Sequence, residues 1–177
     1  MKPKDIAVVE KIVKKNNLYT VKINGNGLLL CPSSEEIQFV IRSMDSFSFD
    51  VLEQKDWDLM KPYSGNEKYE IGIMCNMFMY SSNPSTWLKN LSTVVDLLVV
   101  QDVIRCPRDD EGEFGNDGDC SRFSFFSKSE MPRVYPHFDM EKELGDAIVD
   151  VDFYSDDGNG DRDCRKFAAI IDMRKIR

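Results

Sequence analysis

From residue 5 to 15, Ile6, Val9, Ile12 and Val13 recur at helical spacing between lysines and a glutamate, which predicts an amphipathic first helix ending near Asn16-Asn17. Tyr19, Val21 and Ile23 then alternate with polar residues, a short extended stretch, and Asn24-Gly25-Asn26-Gly27 reads as a turn. Leu28-Leu29-Leu30-Cys31 has no polar position, the pattern of a strand buried on both faces under helices. In the following Pro32-Ser33-Ser34-Glu35-Glu36, Ser33 and Glu36 have capping-box spacing and two acids occupy the first turn. Ile37, Val40, Ile41 and Met44 continue that helix as one apolar stripe. Strand, tight turn and helix make the first half of a βαβ unit.

Phe47, Phe49, Val51 and Glu53 alternate with Ser48, Asp50 and Leu52 in a second strand, which runs into the polar stretch Gln54-Lys55-Asp56-Trp57-Asp58. Pro62 and Ser64-Gly65-Asn66 mark a loop, and Tyr69 to Asn76 forms a third apolar strand leading to Met77-Phe78-Met79-Tyr80. Met74, Met77 and Met79, with Phe78 and Tyr80, read as packing residues. Ser81-Ser82-Asn83-Pro84 opens a helix over residues 84 to 95 with Trp87, Leu88, Leu91, Val94 and Val95 as its buried stripe, and Leu97 to Ile104 is the most strand-like run of the chain. Residues 105 to 120 break this rhythm with Pro107, glycines and dense acids, which reads as a long mobile or ligand-facing loop. Ala147 to Tyr154 and Lys166 to Met173 read as two strands joined by a Gly- and Asp-rich turn. Alternating strands and helices imply a mostly parallel α/β sheet with helices on both faces and a C-terminal antiparallel β-hairpin.

A length of 177 residues favours one domain over residues 1 to 177, with residues 1 to 26 as its N-terminal helix and extended segment. The formal charge of -8 repels phosphate backbones and anionic lipid, so a small molecule or a protein is a better expected partner than nucleic acid. No apolar run approaches the roughly 20 residues of a membrane helix, and the charged start, Met1-Lys2-Pro3-Lys4-Asp5, has no signal core behind it. A cytoplasmic location is expected. Five cysteines at wide spacings, without a CxxC pair, argue against a disulfide framework and against a zinc site, and Cys31 and Cys75 read as small buried hydrophobes. The single histidine, His137, lies between Pro136 and Phe138 and reads as a loop or packing residue, so no hydrolytic triad is supported and no catalytic residue is assigned.

The order of elements resembles the class I S-adenosylmethionine-dependent methyltransferases, a Rossmann-like family whose sheet is parallel except for a terminal antiparallel hairpin. The local match is strongest from Tyr69 to Ile104: Lys68 to Asn76 is similar to the family's fourth strand, residues 84 to 95 to the helix after it, and Leu97 to Asp102 to the fifth strand. The resemblance implies S-adenosylmethionine as cofactor, bound at the carboxyl ends of the strands. Where the family has an acidic residue and a GxGxG loop after its first strand, this chain has Cys31-Pro32-Ser33-Ser34. Only 15 residues separate Glu53 from Tyr69, so one βα unit is missing or reduced.

By family position, Cys31, Ser33 and Ser34 face the cofactor, Ser33 and Ser34 being helix caps as well. If Phe47 to Glu53 is the second strand, Glu53 takes the place of the acid that holds ribose hydroxyls. If it is the third, Asp56 and Trp57 take the adenine position, accepting from the exocyclic amine and stacking. Asn76 stands where the family aims a polar residue at the amino-acid end of the cofactor or at the methyl acceptor; an amide holds such a group but is a poor general base. Asp157, Asn159, Asp161 and Asp163 are a calcium candidate by oxygen ligands at alternate positions, as is the acidic run from Asp109 to Asp119, although Arg162 stands where an EF-hand needs glycine. Two rival readings accompany the methyltransferase: a non-catalytic interaction protein on the same fold, and another nucleotide- or sugar-nucleotide-binding α/β enzyme.

Overall fold

The computed structural model describes residues 3–18, 25–44, 47–53, 55–78, 81, 83–103, 124–126, 137–155 and 165–176. Helix α1 covers Pro3–Lys15 and is followed by strand β1, Gly25–Leu30, helix α2, Ser34–Ser43, and strand β2, Phe47–Leu52. Strand β3 is Tyr69–Cys75, helix α3 Pro84–Ser92 and strand β4 Val95–Val103. Two short strands, β5 (Ser124–Phe126) and β6 (His137–Asp139), pair with each other, and helix α4 covers Met140–Leu144. Strands β7, Ile148–Ser155, and β8, Arg165–Asp172, complete a six-stranded sheet in the order β2-β1-β3-β4-β8-β7. β2, β1, β3 and β4 are mutually parallel, and β8 runs antiparallel to both β4 and β7. This is the mostly parallel α/β sheet with a closing antiparallel pair that the sequence implies.

Alternation along the inner strands sorts their side chains into two cores. Leu28, Leu30, Met74, Leu98, Val100, Phe167 and Ala169 pack on one side with Trp87, Leu88 and Leu91 of α3 and Met140 and Leu144 of α4. Leu29, Ile71, Ile73, Val99, Ala168 and Ile170 pack on the other with Val9, Ile12 and Val13 of α1 and Phe39 of α2. The apolar runs at residues 28–30, 71–75, 98–100 and 167–171 follow from this double coverage, because both faces of the sheet are buried there.

One charge pair crosses the second core. Lys166 Nζ of β8 lies 2.9 Å from Asp5 Oδ1 of α1, both side chains being almost wholly buried, and the Tyr154 hydroxyl donates to the same carboxylate at 2.9 Å. Burial and the neighbouring Asp5 carboxylate push the Tyr154 phenol far above the usual tyrosine range. Exposed lysines extend this docking of α1 on β7: Lys11 reaches Asp152 at 2.7 Å and Lys15 reaches Asp150 at 2.8 Å.

Several sequence expectations need correction. Gly25 and Gly27 belong to β1 and not to a turn, because the Phe47 and Phe49 rings of β2 lie over them; a Cβ at Gly25 would sit 2.5 Å from Phe47 Cε1, and one at Gly27 would meet the Phe49 ring. The helix expected over residues 84 to 95 ends at Ser92, where Thr93 caps it, and Val95 and Asp96 already belong to β4, since Tyr69 pairs with Val95 across the sheet. His137 lies in β6 opposite Phe126 and so in a strand, not a loop. Cys31 is half-buried, whereas Cys75 is fully buried as expected. Phe78 and Met74 are core residues, in keeping with a packing role. The extended stretch at 19 to 23, Met79 and Tyr80, the acidic loop from 105 to 120 and the Asp157 to Asp163 candidate lie outside the described residues. No helix among the described residues is long and apolar enough to cross a membrane.

Removing one partner of a buried ion pair leaves the other charge without compensation, at about 3–5 kcal/mol. Lys166→Met is therefore expected to lower the unfolding free energy in urea by about 3–5 kcal/mol, and the double variant Asp5→Leu, Lys166→Met to regain most of that loss. Additive losses in the double variant would contradict this account.

Candidate functional site

After β1 the chain crosses to α2 on one face of the sheet, and after β3 it crosses to α3 on the other. β1 and β3 are neighbours, so the two crossovers part at their carboxyl ends and leave a crevice, the usual ligand position in open α/β sheets. A cavity of about 450 Å³ lies there, walled by the turn after β1, the end of β2, the end of β3 and Trp87 of α3. That volume falls within the range of small-molecule sites, about 300–1,000 Å³.

The turn after β1 is built without glycine. Cys31 itself adopts the left-handed conformation, φ 45°, and its N–H donates to Leu52 O of β2 at 2.9 Å. Pro32 follows, and Ser33 caps α2: its hydroxyl oxygen accepts from the Glu36 N–H at 3.4 Å and the hydroxyl donates to Glu36 Oε1 at 3.2 Å. The serine half of the capping box read from sequence thus forms, and the Ser33 hydroxyl also holds a buried carboxylate in the cavity wall. β3 ends in the same way, with Asn76 at φ 54° and its N–H donating to Gln101 O of β4 at 2.8 Å. Asparagine is among the few side chains that tolerate this conformation. The Phe78 N–H donates to the buried Asp102 carboxylate at 2.8 Å, which fixes the chain beyond Asn76.

β2 pairs directly with β1, so of the two alignments open in the sequence it takes the second-strand position, at the edge of the sheet. Glu53 immediately follows it, lines the cavity with more than half its side chain exposed, and pairs with Lys55 at 2.7 Å. Asp56 does not line the cavity. Its carboxylate accepts from the Glu53 N–H at 2.9 Å and closes the turn that presents Glu53. Trp57 lines the cavity but is rooted in the core: its indole N–H donates to Lys61 O at 2.9 Å and its ring lies 4.9 Å from that of Tyr63. The connection from Glu53 to Lys68 contains no helix or strand among its described residues, in line with the reduced unit read from the spacing.

Of the residues singled out by sequence, Cys31, Ser33, Glu53, Trp57 and Asn76 therefore meet at one cavity, Asp56 supports it, and Ser34 is the first residue of α2. Sequence reasoning missed Asp58, Met77, Trp87 and the role of Glu36 in the wall. Cys75 forms the back of the cavity; burial, with the carboxylates of Glu36, Asp102 and Asp5 adding to it, raises its thiol well above the ordinary range. Among the described residues no group of three or more His, Cys, Asp or Glu side chains is placed to hold a metal ion.

Fold and crevice together define an open α/β protein with a ligand-sized cavity at its switch point. Compared by sequence, the chain matches no protein-family model and no curated protein. Among solved structures it is similar to the N-terminal domain of EvdMO1 with SAH bound, at TM-score 0.49 and 8% identity, covering 98% of this chain and 83% of that one. It is similar to an S-adenosylmethionine-dependent methyltransferase from Clostridium acetobutylicum at TM-score 0.48 and 16% identity, covering 97% and 92% of the two chains. A SAM-dependent methyltransferase from Methanosarcina mazei gives TM-score 0.45 and 13% identity, covering 88% and 95%.

Ser33→Ala removes the N-cap of α2 and one tether of Glu36. Thermal unfolding is expected to show a loss of about 1 kcal/mol, the usual worth of such a cap. A midpoint equal to that of the parent would contradict the capping role.

Proposed function

We propose that the crevice binds S-adenosylmethionine and that the protein is a methyltransferase-like enzyme acting on a small molecule or a protein. The observation that carries this reading is the charge of the wall: among the described residues Glu36, Glu53 and Asp58 line the cavity, and no lysine or arginine does. An anionic nucleotide or sugar nucleotide needs cationic side chains or a row of backbone N–H groups for its phosphates, and Pro32 removes one such N–H from the turn. A sulfonium nucleoside asks for the opposite: an acid for ribose hydroxyls, apolar walls for the base and negative charge near the cation.

The residues present suit that group. The left-handed φ of Cys31 gives the turn the bend that glycine gives elsewhere, so the chain leaves β1 without filling the crevice. Glu53, at the end of the edge strand, would hold the ribose hydroxyls through two acceptor oxygens; Trp57 and Leu59 would flank the base; Ser33 and Asn76 would hold the amino-acid end. When bound, the cofactor supplies an activated methyl group. The chain's own part is to exclude water with Trp57, Trp87 and Met77 and to orient the acceptor, which is sufficient for methyl transfer without a general base. The Cys31 side chain and Pro32 ring in the turn favour, as the second reading, a non-catalytic interaction protein on this fold.

Calorimetric titration with S-adenosylmethionine, S-adenosylhomocysteine and ATP in parallel tests the proposal. Saturable heat is expected with the adenosyl compounds and none with ATP. Glu53→Gln, a surface change with little expected effect on the unfolding midpoint, should weaken adenosyl binding about tenfold, or about 1.4 kcal/mol. Absence of heat at millimolar adenosyl ligand would contradict the proposal and leave the interaction protein in its place.

A further inference from the structure

We propose that the outer edge of β2 is a self-pairing surface, on which a second copy of this chain lays its own β2 antiparallel and so makes one sheet across two molecules. Among the described residues β2 closes its side of the sheet, with β1 as its strand neighbour. The Cys31 N–H donates to Leu52 O, so Leu52 turns its backbone groups toward β1, and Asp50 and Ser48 turn theirs the same way. The alternate residues, Phe47, Phe49 and Val51, therefore turn theirs outward. Donors at both ends of this outward row are taken within the chain: the Phe47 N–H by Met44 O at 3.1 Å, and the Glu53 N–H by the Asp56 carboxylate at 2.9 Å. A neighbour is left the N–H and C=O of Phe49 and Val51 and the C=O of Phe47.

This edge lacks the usual defences against pairing. β2 carries no lysine or proline and keeps an unbroken register with β1, whereas β7 at the opposite edge is interrupted by a shift between Ile148 and Asp150. The Phe47 and Phe49 rings lean over Gly25 and Gly27 of β1 and so away from the outer edge. Ser48 and Asp50 are exposed, and Val51 is 44% exposed. The strand also fits a copy of itself. A two-fold axis at Phe49 sets Phe49 against the partner's Phe49 and Phe47 against the partner's Val51. The Phe49 N–H then donates to the partner's Phe49 O and the Val51 N–H to the partner's Phe47 O, each bond being reciprocated. Phe47, Phe49 and Val51 continue the α2 face across the axis, and on the other face the Ser48 hydroxyl stands opposite the carboxylate of the partner's Asp50. An axis at Asp50 would set two carboxylates face to face, and one at Ser48 would move Val51 off the end of the partner strand. Glu53 follows Leu52 directly, so the paired edge ends at the border of the crevice. The pairing does not depend on which ligand the crevice takes.

Sedimentation equilibrium of the full chain from micromolar to millimolar concentration, with amide hydrogen exchange read at both ends of that range, tests the surface. The mass is expected to rise from 20.4 kDa toward twice that value. The Phe49 and Val51 amides should gain protection with concentration, while the Asp50 and Leu52 amides, directed at β1, stay protected throughout. Val51→Pro removes an outward donor and no bond to β1, a place where edge strands tolerate proline, and is expected to stay at 20.4 kDa with the circular dichroism of the parent. Val51→Thr keeps the donor and should pair as the parent does. A mass of 20.4 kDa at every concentration overturns the proposal and leaves the edge to a strand from another protein. A dimer whose Phe49 and Val51 amides exchange as fast as in the monomer overturns it as well, and so does a Val51→Pro chain that dimerises as tightly as the parent. The exchange measurement on the parent needs no variant, so it decides even where the proline disturbs the strand.

Discussion

Everything in this molecule depends on burying both faces of β1, β3, β4 and β8. Once the middle residues of those strands are apolar on both faces, helices must cover each side, and the crossovers that place α1 and α2 on one face and α3 on the other become the packing that satisfies them. The same constraint drives polar groups out of the middle of the sheet and gathers them at one end. Glu36, Glu53, Asn76 and Asp102 lie at or beyond the carboxyl ends of parallel strands or at the start of the helix that follows. Lys166 and Tyr154 reach that level from the antiparallel pair, where they face each other in register. A polar end on an otherwise dry sheet is where a ligand can be recognised, and the crevice opens there.

The acidic wall and the missing glycine loop act together. A turn with a proline and a side chain on its left-handed residue offers fewer backbone donors than a glycine turn, which disfavours phosphates. Buried Glu36, held by the Ser33 cap, then sets the sign of the interior on the same side of the crevice. A helix cap that also fixes a carboxylate links local stability of α2 to the electrostatics of the cavity, so a change at Ser33 acts on both.

Much of the fold was legible because local patterns were unambiguous: Leu28 to Leu30 contains no polar residue, and Ser33 and Glu36 have a spacing with one common structural outcome. The errors came where two physical demands use the same residues. Asn24 to Gly27 carries turn-forming residues, yet the glycines serve close approach of the Phe47 and Phe49 rings, a contact with a strand some 20 residues further on that local reading does not see. Val94 and Val95 continue the helical period of α3, but β-sheet pairing with Tyr69 claims Val95. At the site, Cys31, Glu53 and Asn76 were found because each directly follows a strand, and Ser33 because it lies in the turn between β1 and α2. Glu36, Asp58, Met77 and Trp87 come from a helix or a connection, and only the topology brings them to the same cavity.

The central claim is that the carboxyl ends of β1, β2 and β3 form one recognition surface for a sulfonium nucleoside. Amide chemical-shift mapping of the isotope-labelled protein during titration with S-adenosylmethionine tests it most directly, since it reports place as well as binding. The account predicts saturable shifts clustered at Cys31, Ser33, Glu36, Glu53 and Asn76 and at the indole N–H of Trp87, with the α1 and β7 amides unmoved. Shifts scattered over the surface, or confined to the β7 and β8 end of the sheet, would contradict it.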